Sequence, residues 1–457
     1  MNRFWRNAAL VCLVFGLMVG LLPLSGRGAD TLSWNTNQNR VSADIKSSGL
    51  FNVLERIAQN TGWQVFVEPE TLHTVSAKFT NLPPGDALPL LLGDVNFALV
   101  PGTNGASRLF VFRTTRQNAT QLVRALKANE GKVIGNELIV RLKPGANIDE
   151  LARLLGAKVT GRIDSLNAYR LKFDDDAAAK TARDQLSTNP DVSAVDSNYA
   201  IDRPTAPQGF NGAAPSPQLQ MKPPPDTGRV VVGLVDTAVQ PFGNNLDQFI
   251  QKQISVAGNA QLDPNTLSHG TAMAETILRS LDAATKGNTS VQILPVDVYG
   301  PNATTSTFDV ASGIVQAVNG GARVINLSLG SDGDVGFLHD VVKAAAAQNI
   351  LMIGAAGNEP VTTPYYPAAY PEVNAVTAID QGQLAPYANR GSFVSLGAPG
   401  SNIVPYGNLA YGVQGTSVST AYVSGVAAGY MDYARANTQA AQTFIRSKFG
   451  ITITPGH

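Results

Sequence analysis

Three residue types needed for acyl transfer stand in one order along the chain: Asp236, His269 33 residues later, and Ser417 148 residues after that. Ser417 lies in Gly412-Val-Gln-Gly-Thr-Ser-Val-Ser-Thr-Ala-Tyr-Val-Ser-Gly425, where a Gly-Thr-Ser turn runs into Ala, Val, Gly and Tyr residues that read as a buried helix lasting to about Ala434. A hydroxyl at a helix N-terminus faces unpaired backbone N–H groups and the positive end of the dipole, which suits a nucleophile whose attack creates an oxyanion. Alone, the same turn reads equally as an N-cap made by Thr416 or Ser417. His269 opens Ser268-His-Gly-Thr-Ala-Met-Ala, a loop entering a helix. For a hydroxyl to attack a carbonyl, a base must take its proton and a buried carboxylate must hold that base in one tautomer. Asp236, His269 and Ser417 supply one of each.

The elements around them must bring these residues together. Val230-Val-Val-Gly-Leu-Val235, closed by Asp236, is a continuous apolar run of the kind buried on both faces of a parallel sheet. Further strand-like runs (293–298, 324–327, 351–355, 373–379) alternate with helical ones (308–318, 338–347, 417–434). That alternation predicts an α/β domain with a doubly wound parallel sheet, whose ligands bind at the carboxyl ends of the strands, where Asp236 falls. Asp297 also follows a strand and competes with Asp236 for the role of buried acid; we read it as a structural strand-end residue.

Two small α+β modules precede this domain. Over 38–115, Leu50, Phe51, Leu54, Ile57 and Ala58 share one helical face, followed by strands at 64–67 and 75–79, a short helix at 88–92 and strands at 97–100 and 108–112. Over 136–202 the order is strand, helix, two strands, helix, strand, the split βαβ plan. Residues 203–228 are a linker containing Pro204, Pro207, Pro215, Pro217 and Pro223-Pro-Pro225, too poor in apolar surface to order itself and open to cleavage. Residues 1–29, with Arg3 and Arg6 before an apolar stretch from Ala8 to Leu24, read as a secretory signal. Left uncleaved, the segment would anchor the chain in the inner membrane. The chain's one cysteine, Cys12, lies inside it, so the exported chain has neither disulfide nor thiol nucleophile. Lys plus Arg and Asp plus Glu number 34 each, a balance that points away from nucleic acid as a partner. The few imidazoles, His73, His269, His339 and His457, give no clustered zinc site.

The segments VVVGLVDTAV, SHGTAMAETIL, VINLSLGS, GAAGNEP, YYPAAYPEVNAVTAID, SFVSLGAPGSNI and GVQGTSVSTAYVSG occur in the order found in subtilisin-like serine proteases, and the chain resembles that family over about 228–440, within a peptidase domain placed at 229–445. The resemblance implies that Asp236 orients the imidazole, His269 is general base then general acid, Ser417 is the nucleophile, and Asn358 is the side-chain donor of an oxyanion hole completed by the Ser417 N–H. It further implies that Ser328, Leu329 and Gly330, with Ala355, Ala356 and Gly357, flank the pocket in which an extended substrate pairs as an added strand. ELIVRLKPGANIDELARLLGA and NPDVSAVDSNYAI resemble the propeptide of the same family, implying an intramolecular inhibitor whose tail ends near Tyr199 to Asp202. VSADIKSSGLFNVLERIAQNTGWQVFVEPE with VSAKFTNLPPGDALPLLLG resembles the short N-terminal domain of secretins and TonB-dependent receptors, implying a protein partner in the bacterial envelope. Relatives often bind calcium, yet no loop shows a recognisable carboxylate spacing, so no cofactor is expected.

Three positions depart from the family pattern: Ala238 and Glu275 stand where glycine is usual, and Ala421 where proline is usual. Glu275 is the most consequential, because a carboxylate on a helix near the site needs solvent or a partner. The expected protein is a secreted or periplasmic serine endopeptidase, made as a zymogen and cut between about Ala200 and Arg229. The alternatives are an inactive scaffold of the same fold and an esterase using the same three residues.

Overall fold

The computed structural model describes residues 31–453 apart from 37, 69–70, 72, 102–106, 124–131, 211–218, 220 and 223–229. The expected signal segment with Cys12, most of the proline-rich linker, and His457 lie outside the described residues.

Val231–Asp236 is buried at every position. It pairs in parallel with Gln292–Asp297 on one side and Ala322–Leu327 on the other, setting Asp236 level with Asp297. Leu351–Ala355, Val373–Asp380 and Leu396–Pro399 extend the sheet in parallel beyond Ala322–Leu327, while Ile254–Ser255 closes the opposite edge. The chain passes from the Asp236 strand to one neighbour and then crosses to the other, so winding reverses beside Asp236. Such a switch point opens a crevice at the carboxyl ends of the strands.

Helices His269–Thr285, Thr416–Tyr433 and Thr438–Phe449 cover one face, burying Ile277, Ala427 and Ile445 against Leu234 and Val324. Thr307–Asn319 and Gly336–Ala347 cover the other, where Ile314 and Val342 meet Val235 and Val296. The sheet is therefore apolar on both sides, as its continuous runs predict. The first two helices approach very closely: a Cβ at Gly425 would lie 1.9 Å from Ser280 Oγ and 2.5 Å from Ile277 O. That contact holds the starts of both helices at the same end of the sheet.

Residues 133–202 form the expected order of strand, helix, two strands, helix, strand. Val192–Asp202, Val133–Leu142, Ala168–Lys172 and Lys158–Ile163 lie side by side. The sheet then crosses into the unit that carries Asp236, because Ala200, Ile201 and Asp202 pair antiparallel with Ser306, Thr305 and Thr304. Side chains lock the two units together. Asn198, fully buried, accepts from Phe308 N–H (3.1 Å) and Thr307 Oγ1 (3.0 Å), capping the helix that starts at Thr307. Arg170 donates to Asp309 at 2.8 Å and stands 5.4 Å over the Phe308 ring. Burial raises the Asp309 carboxyl and the Arg170 charge opposes that rise. Arg170→Ala leaves Asp309 the Ser306 hydroxyl but no cation, and is expected to weaken this docking by about 2–3 kcal/mol, read as a lower urea midpoint for unfolding of the 133–202 unit.

The linker does not run free from residue 203. Arg203 N–H still donates to Ala303 O (2.9 Å), and Gln208–Phe210 pairs antiparallel with Leu409–Gln414. A segment too polar to fold alone is ordered here by edge strands that satisfy its backbone, which its composition does not reveal.

The N-terminal unit contains the predicted helices and strands and adds Thr31–Asn35, Arg40–Gly49 and Gln121–Val123, all paired within its sheets. Its helix Leu50–Thr61 faces the unit that carries Asp236. Glu55 is fully buried, accepting from Thr362 N–H (3.1 Å) and Thr362 Oγ1 (2.9 Å). Arg390 lies over the Phe51 ring at 5.6 Å. Burial pushes the Glu55 carboxyl from 4.5 up to about 7, against the pull of Thr362, Arg390 and Arg56. A group whose acidity falls on docking takes up a proton, so its contribution is complete below about pH 4.5 and is lost as pH rises through 7. The expected change is on the order of 3 kcal/mol. Thermal unfolding of the N-terminal unit between pH 5 and 8 reads it, and Glu55→Gln flattens the profile.

Candidate active site

Asp236 ends the central strand and is completely buried. Its Oδ1 accepts from Thr237 N–H at 2.7 Å and from His269 Nδ1 at 2.8 Å, and its Oδ2 lies 3.0 Å from the same ring nitrogen. A carboxylate facing Nδ1 requires the proton there, leaving Nε2 as the basic nitrogen. Ser268 caps the His269 helix, accepting from Thr271 N–H and donating to Ala238 O (2.7 Å). Gly270 N–H donates to Thr237 Oγ1 (2.8 Å). The turn after Asp236 and the start of the His269 helix are thus tied at several points.

Ser417 is the second residue of its helix. Gly415 precedes that helix at φ 149°, a backbone state that favours glycine. Ser417 Oγ donates to Ser328 O at 3.2 Å, and no hydrogen bond joins it to His269 among the described residues. Catalytic hydrogen bonds often close only when substrate is seated. Asn358 Oδ1 accepts from Thr416 N–H (2.8 Å) and Thr416 Oγ1 (3.1 Å), which leaves its Nδ2 as the donor end. The Ser417 N–H, among the first four of its helix, has no partner among the described residues. Two unspent donors therefore accompany the hydroxyl.

The predicted pocket segments leave two adjacent strands. Ser328, Leu329 and Gly330 follow Ala322–Leu327, and Ser328 Oγ donates to Ser417 O (3.2 Å). Ala355 ends Leu351–Ala355, and Gly357 N–H donates to Thr416 Oγ1 (3.1 Å). Ala356 packs with Val394 and Ile453, and its N–H is taken by Val376 O, so its side chain turns away from the cleft. Asp297 does not compete with Asp236, because its Oδ1 accepts from Tyr299 and Gly300 N–H at 3.0 Å each.

The three departures are accommodated. Ala238 has no positive φ. Ala421 is fully buried in the second turn of the Ser417 helix. Glu275 is 1% exposed and finds partners in Arg279 and in Asn402 Nδ2, the latter at 3.0 Å. Burial raises its carboxyl, and the pair with Arg279 counters the rise. Sequence reasoning passed over Thr237, whose N–H holds Asp236 Oδ1, and weighed Thr416 only as an N-cap; Gly415 occupies the N-cap, and Thr416 holds Asn358 instead. Among the described residues no three His, Cys, Asp or Glu side chains converge as a metal site.

Residues 227–448 match the subtilase family, and residues 119–198 match the fervidolysin N-terminal prodomain. The thermophilic serine proteinase of Bacillus sp. (strain AK1) is 30% identical over 335 residues, covering 68% of this chain and 82% of that protein. The chain belongs to the subtilase family. It is a subtilisin-like serine protease with an N-terminal prodomain. The thermostable alkaline protease of Halalkalibacterium halodurans is 38% identical over 165 residues, or 35% of this subtilase and 46% of its relative. Among solved structures, fervidolysin from Fervidobacterium pennivorans, a keratinolytic enzyme, superposes with TM-score 0.51 at 20% identity, covering 69% of this chain and 57% of that one. The epidermin leader peptide processing serine protease of Staphylococcus aureus gives 0.50 at 16% identity, covering 68% and 90%. At these identities the two structures speak for the fold.

Proposed function

We propose that this subtilase hydrolyses peptide bonds through an acyl-enzyme on Ser417, with Asp236, His269 and Asn358 in the roles described here. The observation that carries the reading is the buried Asp236 carboxylate bonded to His269 Nδ1 at 2.8 Å. Ser417 Oγ attacks the carbonyl carbon while His269 Nε2 takes its proton. The electron pair moves onto the carbonyl oxygen, which accepts from Ser417 N–H and Asn358 Nδ2. The imidazolium returns the proton to the amine nitrogen and the C–N bond breaks. Water, deprotonated by His269, then attacks the acyl-enzyme and frees Ser417 and the new carboxylate. Peptide recognition is supported by Leu329 and Gly330, whose backbone groups carry no hydrogen bond among the described residues.

The prodomain is proposed as an inhibitor that is cut in place. On one side Arg203 faces Ala303. On the other Gln208 faces Gly412, a register that extended by two residues puts Ala206 opposite Gln414, three residues before Ser417. The two registers leave Pro204 and Thr205 to cross the catalytic centre, so the first cut is expected within 203–206. Export rests on segment 1–29, which stands outside the described residues; among these, no helix is long and apolar enough to cross a membrane. Recognition of an envelope protein by the N-terminal unit is proposed on its sequence pattern.

Expressing residues 30–457 and treating the product with a fluorophosphonate tests the reading. The expected result is a label mapped to Ser417 and a new N-terminus within 203–206. An unlabelled, uncut chain that leaves casein intact overturns it, and faster turnover of short acyl esters than of casein would favour an esterase.

A further inference from the structure

The tail residue Arg203 does more than continue a strand. Its Nε donates to Asn302 O (2.9 Å), its Nη2 donates to Gly300 O (2.6 Å), and its Cζ stands 5.2 Å over the Tyr299 ring. That ring is fully buried, and its hydroxyl donates to Asp202 O at 3.1 Å, so the platform is fixed by the residue just before. Behind the turn lies Asp297, fully buried. Its Oδ1 holds the Tyr299 and Gly300 N–H groups, while its Oδ2 has no hydrogen-bond partner among the described residues. Asp236 stands level with it on the next strand and adds negative charge. Burial raises the Asp297 carboxyl, Asp236 adds to that rise, and Arg203 opposes it.

These groups suit one kind of side chain. Two carbonyl oxygens on a single turn accept from a guanidinium fork, an aromatic face takes its plane, and a half-satisfied buried carboxylate favours a nearby cation. Lysine presents a point charge and matches only part of this arrangement. A neutral side chain of similar length leaves both carbonyls and the carboxylate without a cation.

We propose that the turn Asp297–Asn302 is an arginine-recognition site, occupied by Arg203 in the precursor. After processing it selects peptide and protein substrates carrying arginine at the position that pairs with Ala303, among the three residues before the bond cut. The proposal rests on the protease reading of the cleft. Its substrates are therefore chains with exposed, extended arginine-containing segments.

Two measurements test it. The first compares kcat/KM of the processed enzyme for peptides differing only in Arg, Lys or Met at that position. The expected order is Arg, then Lys, then Met, with Arg at least about tenfold above Met. Asp297→Asn and, as a second variant, Tyr299→Leu should each shrink the Arg-to-Met ratio of kcat/KM, read in enzyme that still takes the fluorophosphonate label. Equal rates for Arg and Met peptides in enzyme that still takes the fluorophosphonate label overturn the site and leave the protease reading standing. Absence of label strikes the protease reading instead. The second measurement needs no activity: amide exchange across 300–306 in the full-length Ser417→Ala chain, with and without Arg203→Met. Faster exchange with Arg203→Met supports the site, and unchanged protection overturns it.

Discussion

Replacing Ser417 with alanine will lower kcat/KM by about 10⁶-fold and leave the chain in one piece. The hydroxyl is the one group whose loss removes the covalent step itself, and nothing around it can substitute. Thr416 Oγ1 is bonded to Asn358 Oδ1 and Gly357 N–H, and Ser328 Oγ to Ser417 O. The two proposed oxyanion donors, the Ser417 N–H and Asn358 Nδ2, stay in place in the alanine variant, so a residual rate of about 10³-fold over water is expected. The substitution also removes the Oγ contact to Ser328 O, an ordinary hydrogen bond worth about 1 kcal/mol, so the fold survives. Intact mass separates the two consequences. If Ser417→Ala still divides within 203–206, cleavage there comes from another enzyme, and the prodomain is removed in trans.

The parts of this protein written in local pattern were the parts its sequence disclosed. Val231–Asp236, apolar up to its closing Asp236, and Leu351–Ala355 are covered on both faces, and such runs announce a central strand. Thr304–Ser306 announces nothing. It becomes a strand only because Ala200, Ile201 and Asp202, about a hundred residues earlier, lie against it. The same holds for Gln208–Phe210, a proline-flanked stretch ordered by the edge of Leu409–Gln414. Within the candidate site, type and order singled out Asp236, His269 and Ser417, of which the structure joins Asp236 to His269 Nδ1 at 2.8 Å. Their supports were less so, because Thr416 matters through Asn358, 58 residues away, and Glu275 becomes tolerable through Asn402, 127 residues away. The buried Glu275 carboxylate has one partner close in sequence, Arg279 four residues on in the same helix, and a second, Asn402, that only packing brings to it.

Asn358→Ala will lower kcat by about 10²- to 10³-fold, equivalent to 2.7–4 kcal/mol, with KM nearly unchanged. The asymmetry follows from when the amide acts. Its Oδ1 is already committed to Thr416 N–H and Oγ1, so the side chain is oriented before substrate arrives and no reorganisation accompanies the reaction. Its Nδ2 strengthens its bond only as negative charge grows on the carbonyl oxygen, so the loss falls on the transition state rather than on the bound ground state. Alanine also strips the Thr416 N–H of its acceptor at the start of the Ser417 helix, which admits a trivial structural explanation for a slow variant. Thr416→Val separates the two. It keeps the Thr416 N–H bond to Asn358 Oδ1, removes only the hydroxyl contacts to Asn358 and Gly357, and should cost about tenfold. A rate loss with Thr416→Val equal to that with Asn358→Ala would mean that Asn358 serves the helix start rather than the oxyanion. A large gap between them, with fluorophosphonate labelling of Asn358→Ala slowed in proportion to kcat, is the outcome expected of a donor to the transition state.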